Sequence, residues 1–278
     1  MKLIRKTEIE KPKIVYNLHI QDDHNYIVDG AVVSNCHMAK AEVLKKLLTQ
    51  NLSSAAIRWG LTGTVPKDDI GLQSLRCSLG DVINHISAYD LQQKGVLSNC
   101  HVNVVQTAEW KEFGSYAEEL KYLVTDETRM TYLSNMINDI SKTGNTLVLV
   151  NRIDSGKFIV EQLPDAVFVS GEVKTKDRKE EYDEIKTSTN KIIVATYGVA
   201  AVGINIPRIF NLVLLEPGKS FVRVIQSIGR GIRKAEDKDH VEIWDLTAAS
   251  KYAKRHLTER KKFYKNAQYP FTIQKVKY

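Results

Sequence analysis

Five short apolar runs constrain this chain more than any other feature. They are TLVLV (146–150), AVFVS (166–170), KIIVAT (191–196), FNLVLL (210–215) and VEIWDL (241–246). Each is mostly apolar along its length, which is the pattern of a strand buried on both faces. Segments 154–163, 177–186 and 221–232 fall between them and have helical length. Strands alternating with helices in this way predict an α/β fold, with a parallel sheet covered on both sides.

The rest of the chain is read more coarsely. Residues 38–52, 70–79 and 88–94 look helical, and helices follow across 115–142. AIRWGLTGT (56–64) reads as a strand ending in a turn, and HVNVVQT (101–107) as another strand. Residues 251–278 read as a basic, partly helical tail. The first 35 residues are different in kind. IVYNLHI (14–20) is β-rich, and Asp29-Gly30 sits between Tyr26-Ile27-Val28 and Ala31-Val32-Val33. A two-residue Asp-Gly loop between apolar runs predicts a hairpin, because both positions can take positive φ. A β-fragment this short cannot bury enough core alone, and its open edges call for a complement.

A chain of 278 residues allows about two domains. The formal net charge is +7, while residues 1–35 hold five basic and five acidic residues, so the excess belongs to residues 36–278. A basic body suits a polyanion such as nucleic acid, though charge alone fits a plain basic protein nearly as well. Cys36, Cys77 and Cys100 are too few and too scattered for a disulfide framework. Cys36-His37 and Cys100-His101 lack the Cys-x-x-Cys spacing of a zinc site, so no metal site is expected from them. No run approaches the roughly 18 apolar residues of a membrane span, and no signal region opens the chain, so a cytoplasmic protein with no membrane partner is expected.

In QSIGRGIR, helical spacing puts Gln226, Arg230 and Arg233 on one face. Two guanidiniums and an amide suit a polyphosphate, and could stabilise charge on a transferred γ-phosphoryl group. On an arbitrary helix the same stripe would be a solvated basic face. VATYGVAAVGINIP (194–207) leaves a strand into a Gly- and Ala-rich turn, and GLTGT (60–64) ends another strand. In this order the segments resemble the motor motifs of superfamily 2 helicases, over about residues 36–250. Thr62-Gly63-Thr64 resembles motif III, and Thr196 through Pro207, with Gly203 and Asn205, resembles motif V. Gln226, Arg230 and Arg233 match motif VI, with both arginines at the arginine-finger positions. LVLVNRIDSG resembles motif IV. The resemblance implies nucleic-acid contacts at Asn151, Arg152 and Thr196, and ATP with Mg²⁺ as cofactors. Asn205 stands where the family often has Asp.

The phosphate loop of such a motor, G-x-x-x-x-G-K-[ST], is missing. PGKS (217–220) has Val213 where the first Gly belongs. SGK (155–157) has Asn151 there, with Phe158 after the Lys. No Asp-Glu pair precedes Cys36 to bind Mg²⁺. Alone, the chain is not expected to hydrolyse ATP.

The junction Ser34-Asn35-Cys36 carries a second chemistry. An Asn side-chain amide can attack its own carbonyl, form a succinimide and break the following peptide bond, given a polarised carbonyl and a protonated leaving amine. A Cys after it supplies a strong acyl acceptor. An Asn-Cys pair by itself carries little weight. IVYNLHIQDDHNYIVDGAVVSNC, however, resembles the C-terminal splicing blocks of inteins, whose fold is the small all-β Hint type. That resemblance makes Asn35 the cyclising residue, Cys36 the first residue of the following extein, and His24 the assisting histidine. Two positions depart from the family. Ser34 replaces the usual penultimate histidine, and Asn17 replaces the block aspartate.

Together these resemblances divide the chain into an intein C-terminal fragment (1–35), the remainder of a first RecA-like domain (36–110), a second RecA-like domain (111–250) and a basic tail (251–278). They imply a precursor that splices at Asn35-Cys36 with a partner chain, an N-terminal intein half fused to an N-terminal helicase half. The product would be an ATP-dependent DNA helicase of phage recombination and repair type, acting on DNA including branched DNA. The alternative is a non-enzymatic nucleic-acid-binding fragment with an inert β-arm.

Overall fold

The computed structural model describes residues 25–28, 31–35, 42–51, 53–54, 57–61, 65, 69–109, 111–169, 188–203, 206, 208–220, 224, 227–229 and 231–278. The chain divides into two compact units, residues 1–85 and 86–278.

The first unit holds a three-stranded sheet of β1 (Asn25–Val28), β2 (Ala31–Asn35) and β3 (Ile57–Leu61) in that order. β1 and β2 pair antiparallel with Val28 opposite Ala31, the register of a two-residue loop. The hairpin is therefore present, but not as a separate all-β fragment. β2 also pairs in parallel with β3, from Ala31 opposite Ile57 to Asn35 opposite Leu61. An open strand edge gains a full row of hydrogen bonds by such pairing. Helix α1 (Glu42–Lys46) runs on as a wider π turn over Leu47–Asn51, and α2 spans Asp69–Leu79.

The second unit is built on seven parallel strands. Their order is β10 (Phe271–Val276), β4 (Asn99–Thr107), β9 (His240–Ala248), β8 (Asn211–Leu215), β5 (Thr146–Val150), β7 (Ile192–Thr196), β6 (Ala166–Val169). Alternate residues supply two separate cores. Leu147, Leu149, Ile193, Ala195, Leu212 and Leu214 face one side, with Tyr197, Ile228, Leu257 and Tyr264. Val148, Val150, Ile192, Val194, Val213 and Leu215 face the other, with residues of α5 (Glu127–Ser141) and α6 (Ile153–Gln162) such as Leu133, Ile137 and Ile159. Period-two geometry thus turns continuous apolar runs into strands buried on both faces.

Helix α3 (Ala88–Gln93) starts at a capping box, in which Ser87 and Asp90 satisfy each other's backbone N–H groups. The helical stretch after Tyr116 breaks at Asp126, whose carboxylate accepts from the Arg129 N–H at 2.9 Å and starts α5, after α4 (Tyr116–Thr125). The basic tail is part of the sheet domain. A helix over Lys251–Asn266 buries Ala253, Leu257, Arg260 and Tyr264 on one face, and β10 then pairs in parallel with β4. The expected helix at 177–186, and residues 221–223, 225, 226 and 230 of that at 221–232, lie outside the described residues. Among the described residues, no helix is long and apolar enough to cross a membrane.

Candidate nucleotide and nucleic-acid site

In a parallel sheet, ligands gather outside the carboxyl ends of the strands. Three predicted residues lie there together. Val150 and Thr196 are opposite one another at the ends of β5 and β7, and Asn151 and Arg152 follow at once. The Asn151 side-chain amide donates to the Glu216 carbonyl, tying this corner to the end of β8. The Thr196 hydroxyl accepts from the Val199 N–H at 3.4 Å and caps the helix Tyr197–Gly203, of which Gly203 is the last residue. Arg152 is exposed at the N-terminus of α6. Its charge is available on the surface while its backbone carbonyl begins the helix.

Arg233 lies at the opposite, amino edge. Its backbone bridges to Leu97, just before β4, and the Ile232 carbonyl accepts from the Ser98 N–H at 2.9 Å. Helical residues 224, 227–229 and 231 thus lead from the carboxyl edge back across the sheet. Lys238 clamps their end. Its ammonium is buried and donates to the carbonyls of Gly231 at 2.7 Å and Ile209 at 3.0 Å. A cation at a helix C-terminus satisfies orphan carbonyls and complements the dipole. Burial lowers the Lys238 pKa to about 8, against the raising field of Asp237. Arg233 is half-buried, and desolvation lowers its pKa.

Beneath the carboxyl edge runs a buried ionic network that sequence reasoning missed. Arg129 donates to Glu216 at 2.6 Å, to Glu109 and Thr107 at 3.2 Å, and to the Leu123 carbonyl. Glu216 itself has a positive φ of 43°, a rare backbone state for a side-chain-bearing residue. Burial raises its carboxyl pKa, opposed by Arg129 and Arg260. Arg260 forks onto Asp245 at 2.8 and 2.9 Å and donates to the Gly218 carbonyl at 2.7 Å. Tyr264 donates to the same carboxylate at 2.8 Å. Burial is the largest single effect and opposes the Arg260 charge, but Asp245, Tyr264 and Glu216 together outweigh it and raise the pKa above its ordinary value. A sequence signal did exist. Asp245 interrupts an apolar strand, and a charge placed there needs a buried cation.

Of the predicted residues, the structure brings Asn151, Arg152 and Thr196 together and sets Arg233 apart from them. Ser34 and Asn35 lie on β2. His24, Cys36, Thr62, Gly63, Thr64, Asn205, Gln226 and Arg230 lie outside the described residues.

Residues 128–235 match the helicase conserved C-terminal domain. The chain is 24% identical over 239 residues to the ATP-dependent DNA helicase uvsW of Enterobacteria phage T4, covering 82% of this chain and 47% of that protein. The crystal structure of T4 UvsW superposes with a TM-score of 0.55 at 22% identity, covering 88% of this chain and 53% of that one. A fragment of an HsdR subunit of a type I restriction enzyme from Vibrio vulnificus gives a TM-score of 0.67 at 18% identity, covering 89% and 48%. The chain spans less than half the length of the curated relatives it matches. The parallel seven-stranded RecA-like sheet and the match over 128–235 point the same way: residues 128–235 resemble helicase C-terminal domains, and the chain as a whole resembles phage T4 UvsW.

Proposed function

We propose that the chain is a splicing precursor whose body becomes the C-terminal half of an ATP-dependent, UvsW-like DNA helicase. The observation that carries this reading is the register of β2 on β3. Ser34 lies opposite Gly60 and Asn35 opposite Leu61. Asn35 is therefore the last residue of β2, paired with the last residue of β3. A superfamily 2 motor carries an Asp-Glu-x-His motif in its first domain. Ligation of a partner ending in Asp-Glu to Cys36-His37 would restore Asp-Glu-Cys-His at that position.

In this reading Cys36 accepts the partner's acyl group through its thiol. The Asn35 side-chain amide then attacks its own carbonyl, forms a succinimide and releases residues 1–35. His24 assists by protonating the scissile region, and Ser34 stands where the family's histidine would. The freed Cys36 amine takes the acyl group from its own sulfur and completes the peptide bond.

The partner supplies what this chain lacks. The carboxylates for Mg²⁺ and the phosphate loop for ATP are assigned to the partner, and Gln226, Arg230 and Arg233 to its γ-phosphate. Asn151, Arg152 and Thr196 would contact DNA.

Mixing the chain with a partner that carries a Walker A loop, an Asp-Glu end and intein N-terminal blocks tests this by product mass. The expected products are a ligated chain ending in Cys36–Tyr278 and a free 1–35 fragment. Cys36→Ala should abolish ligation. Absence of any ligated product would sink the splicing claim. DNA-stimulated ATPase of the product should fall about 10³- to 10⁵-fold with Arg230→Ala, the range for an arginine finger. Full activity in that variant would remove the motif VI assignment.

A further inference from the structure

We propose that an open cleft beside the motif residues, on the carboxyl edge of the second sheet, binds one unstacked base of single-stranded DNA with its flanking phosphates. The inference rests on the nucleic-acid-binding reading of the helicase domain. The cleft holds about 1100 Å³, and its lining includes Tyr116, Lys219, Tyr252, Arg255 and His256.

Three chain segments meet there, each leaving the end of a strand. Tyr116 begins α4 after β4, Lys219 lies in the turn after β8, and the other three ride the helix after β9. β4, β9 and β8 are neighbours, so topology alone brings these segments together.

The rings are arranged before any ligand arrives. Tyr116 meets His256 edge to face at 4.7 Å between centroids, and Tyr252 lies 6.3 Å from Tyr116. The Tyr252 hydroxyl donates to the Gly114 carbonyl at 3.0 Å, which holds its ring in place. Tyr116 keeps 38% of its surface exposed. Every base has a π-face, so such a platform would be tolerant of sequence.

The charge around the rings favours an anion. Lys219 and Arg255 are exposed at the rim, and the Lys251 ammonium lies 5.6 Å from the Tyr252 centroid. The acid in the lining, Glu259, is bonded to Lys262 at 2.7 Å. The helix N-terminus is closed by Glu119, whose buried carboxylate accepts from the Tyr252 and Ala253 N–H groups at 2.9 and 2.7 Å. Phosphate must therefore be met by the side-chain cations. Burial, with the fields of Arg260 and Lys219, lowers the His256 pKa and favours a neutral ring.

The cleft also continues the predicted DNA contacts. β8 is next to β5, and β7 follows. Adjacent strands lie about 4.8 Å apart, so Asn151, Arg152 and Thr196 are one to four strands away, roughly 5–20 Å along the same edge. That is a span of a few nucleotides.

Fluorescence anisotropy of the full chain with a labelled oligothymidylate, across a salt series, tests the site. Tyr116→Ala should weaken binding about five- to a hundred-fold without changing the salt slope. Lys219→Ala and Arg255→Ala should each flatten that slope by about 0.7. An abasic oligonucleotide should bind the unaltered protein as weakly as oligothymidylate binds Tyr116→Ala. Photocrosslinking of an iododeoxyuridine oligonucleotide to the unaltered chain should mark Tyr116, Tyr252 or His256, which reads the site without any risk to folding. Arg152→Ala separates the two readings. If it weakens binding while the cleft variants bind normally and crosslinks fall elsewhere, the cleft is overturned and the helicase reading stands. Failure of the full chain to bind oligothymidylate at all would overturn both.

Discussion

Removing the negative charge of Asp245 should be the most damaging single change in the second unit. Asp245→Asn keeps the side chain's shape but leaves Arg260 and Tyr264 one acceptor oxygen instead of two, and sets a new amide NH₂ donor against their own donors. In the native protein two guanidinium bonds and one phenol bond converge on that carboxylate, all within 2.9 Å. Asp245 and Arg260 are 0% and 1% exposed, so water cannot replace the lost partner. Breaking a buried pair from one side costs about 3–5 kcal/mol. For a unit of this size that corresponds to a fall in Tm of roughly 6–20 °C. Urea unfolding and calorimetry of the variant and its parent measure it. The pair itself need not be net stabilising, because both charges lost their hydration on folding. Replacing both, with Asp245→Leu and Arg260→Met, should therefore recover most of the loss. A single variant that loses less than about 1 kcal/mol would refute the reasoning, as would a double variant no better than the single.

Two further outcomes follow from buried groups. The Lys238 pKa lies near 8 when folded and near its ordinary 10.5 when unfolded. The unfolded chain then holds more protons between those values, so this residue's contribution to stability rises with pH from about 8 to about 10.5. Cys100, raised to about 11 chiefly by burial, acts in the opposite sense at the upper end, so the difference between wild type and Lys238→Met in urea titrations isolates the effect. A difference that stays flat with pH would contradict it. Gly156→Ala should destabilise the domain by about 1–3 kcal/mol, because the new Cβ would land on the Phe168 ring where α6 packs against β6. Phe168→Leu in the same chain should relieve part of that loss in thermal unfolding. An unchanged Tm for Gly156→Ala would show that the ring moves freely.

Most of the sheet could be read in the chain because its strands are apolar on both faces. TLVLV became β5 residue for residue, and KIIVAT and FNLVLL became β7 and β8 less their first residues. The residues Asn151, Arg152 and Thr196 were implied by the resemblance of the segments around them to helicase motifs IV and V. What stayed hidden depended on partners distant in sequence. FTIQKV, now β10, has only part of an apolar alternation and lies exposed at the sheet edge. Its place is set by pairing with β4, some 170 residues earlier, which no local pattern encodes. Arg260 read as one more cation in a basic tail. Only the fold shows that the helix turns it inward onto Asp245. The hairpin strands were legible from Asp29-Gly30, but the attachment of β2 to β3 was not, since parallel pairing leaves no turn to recognise.

That attachment bears on how a precursor would mature. β2 is shared: one edge belongs to the hairpin that would be discarded, and the other holds β3 from Ile57 to Leu61. Excision at Asn35 would then be more than a cut, because it strips the β3 edge of its neighbour. On that reading the departing segment would act as a seat-holder, keeping that edge covered and in register until the partner's own strand took the place. Ligation and strand exchange would be a single event, and a precursor that lost residues 1–35 too early would present β3 as a bare edge open to aggregation.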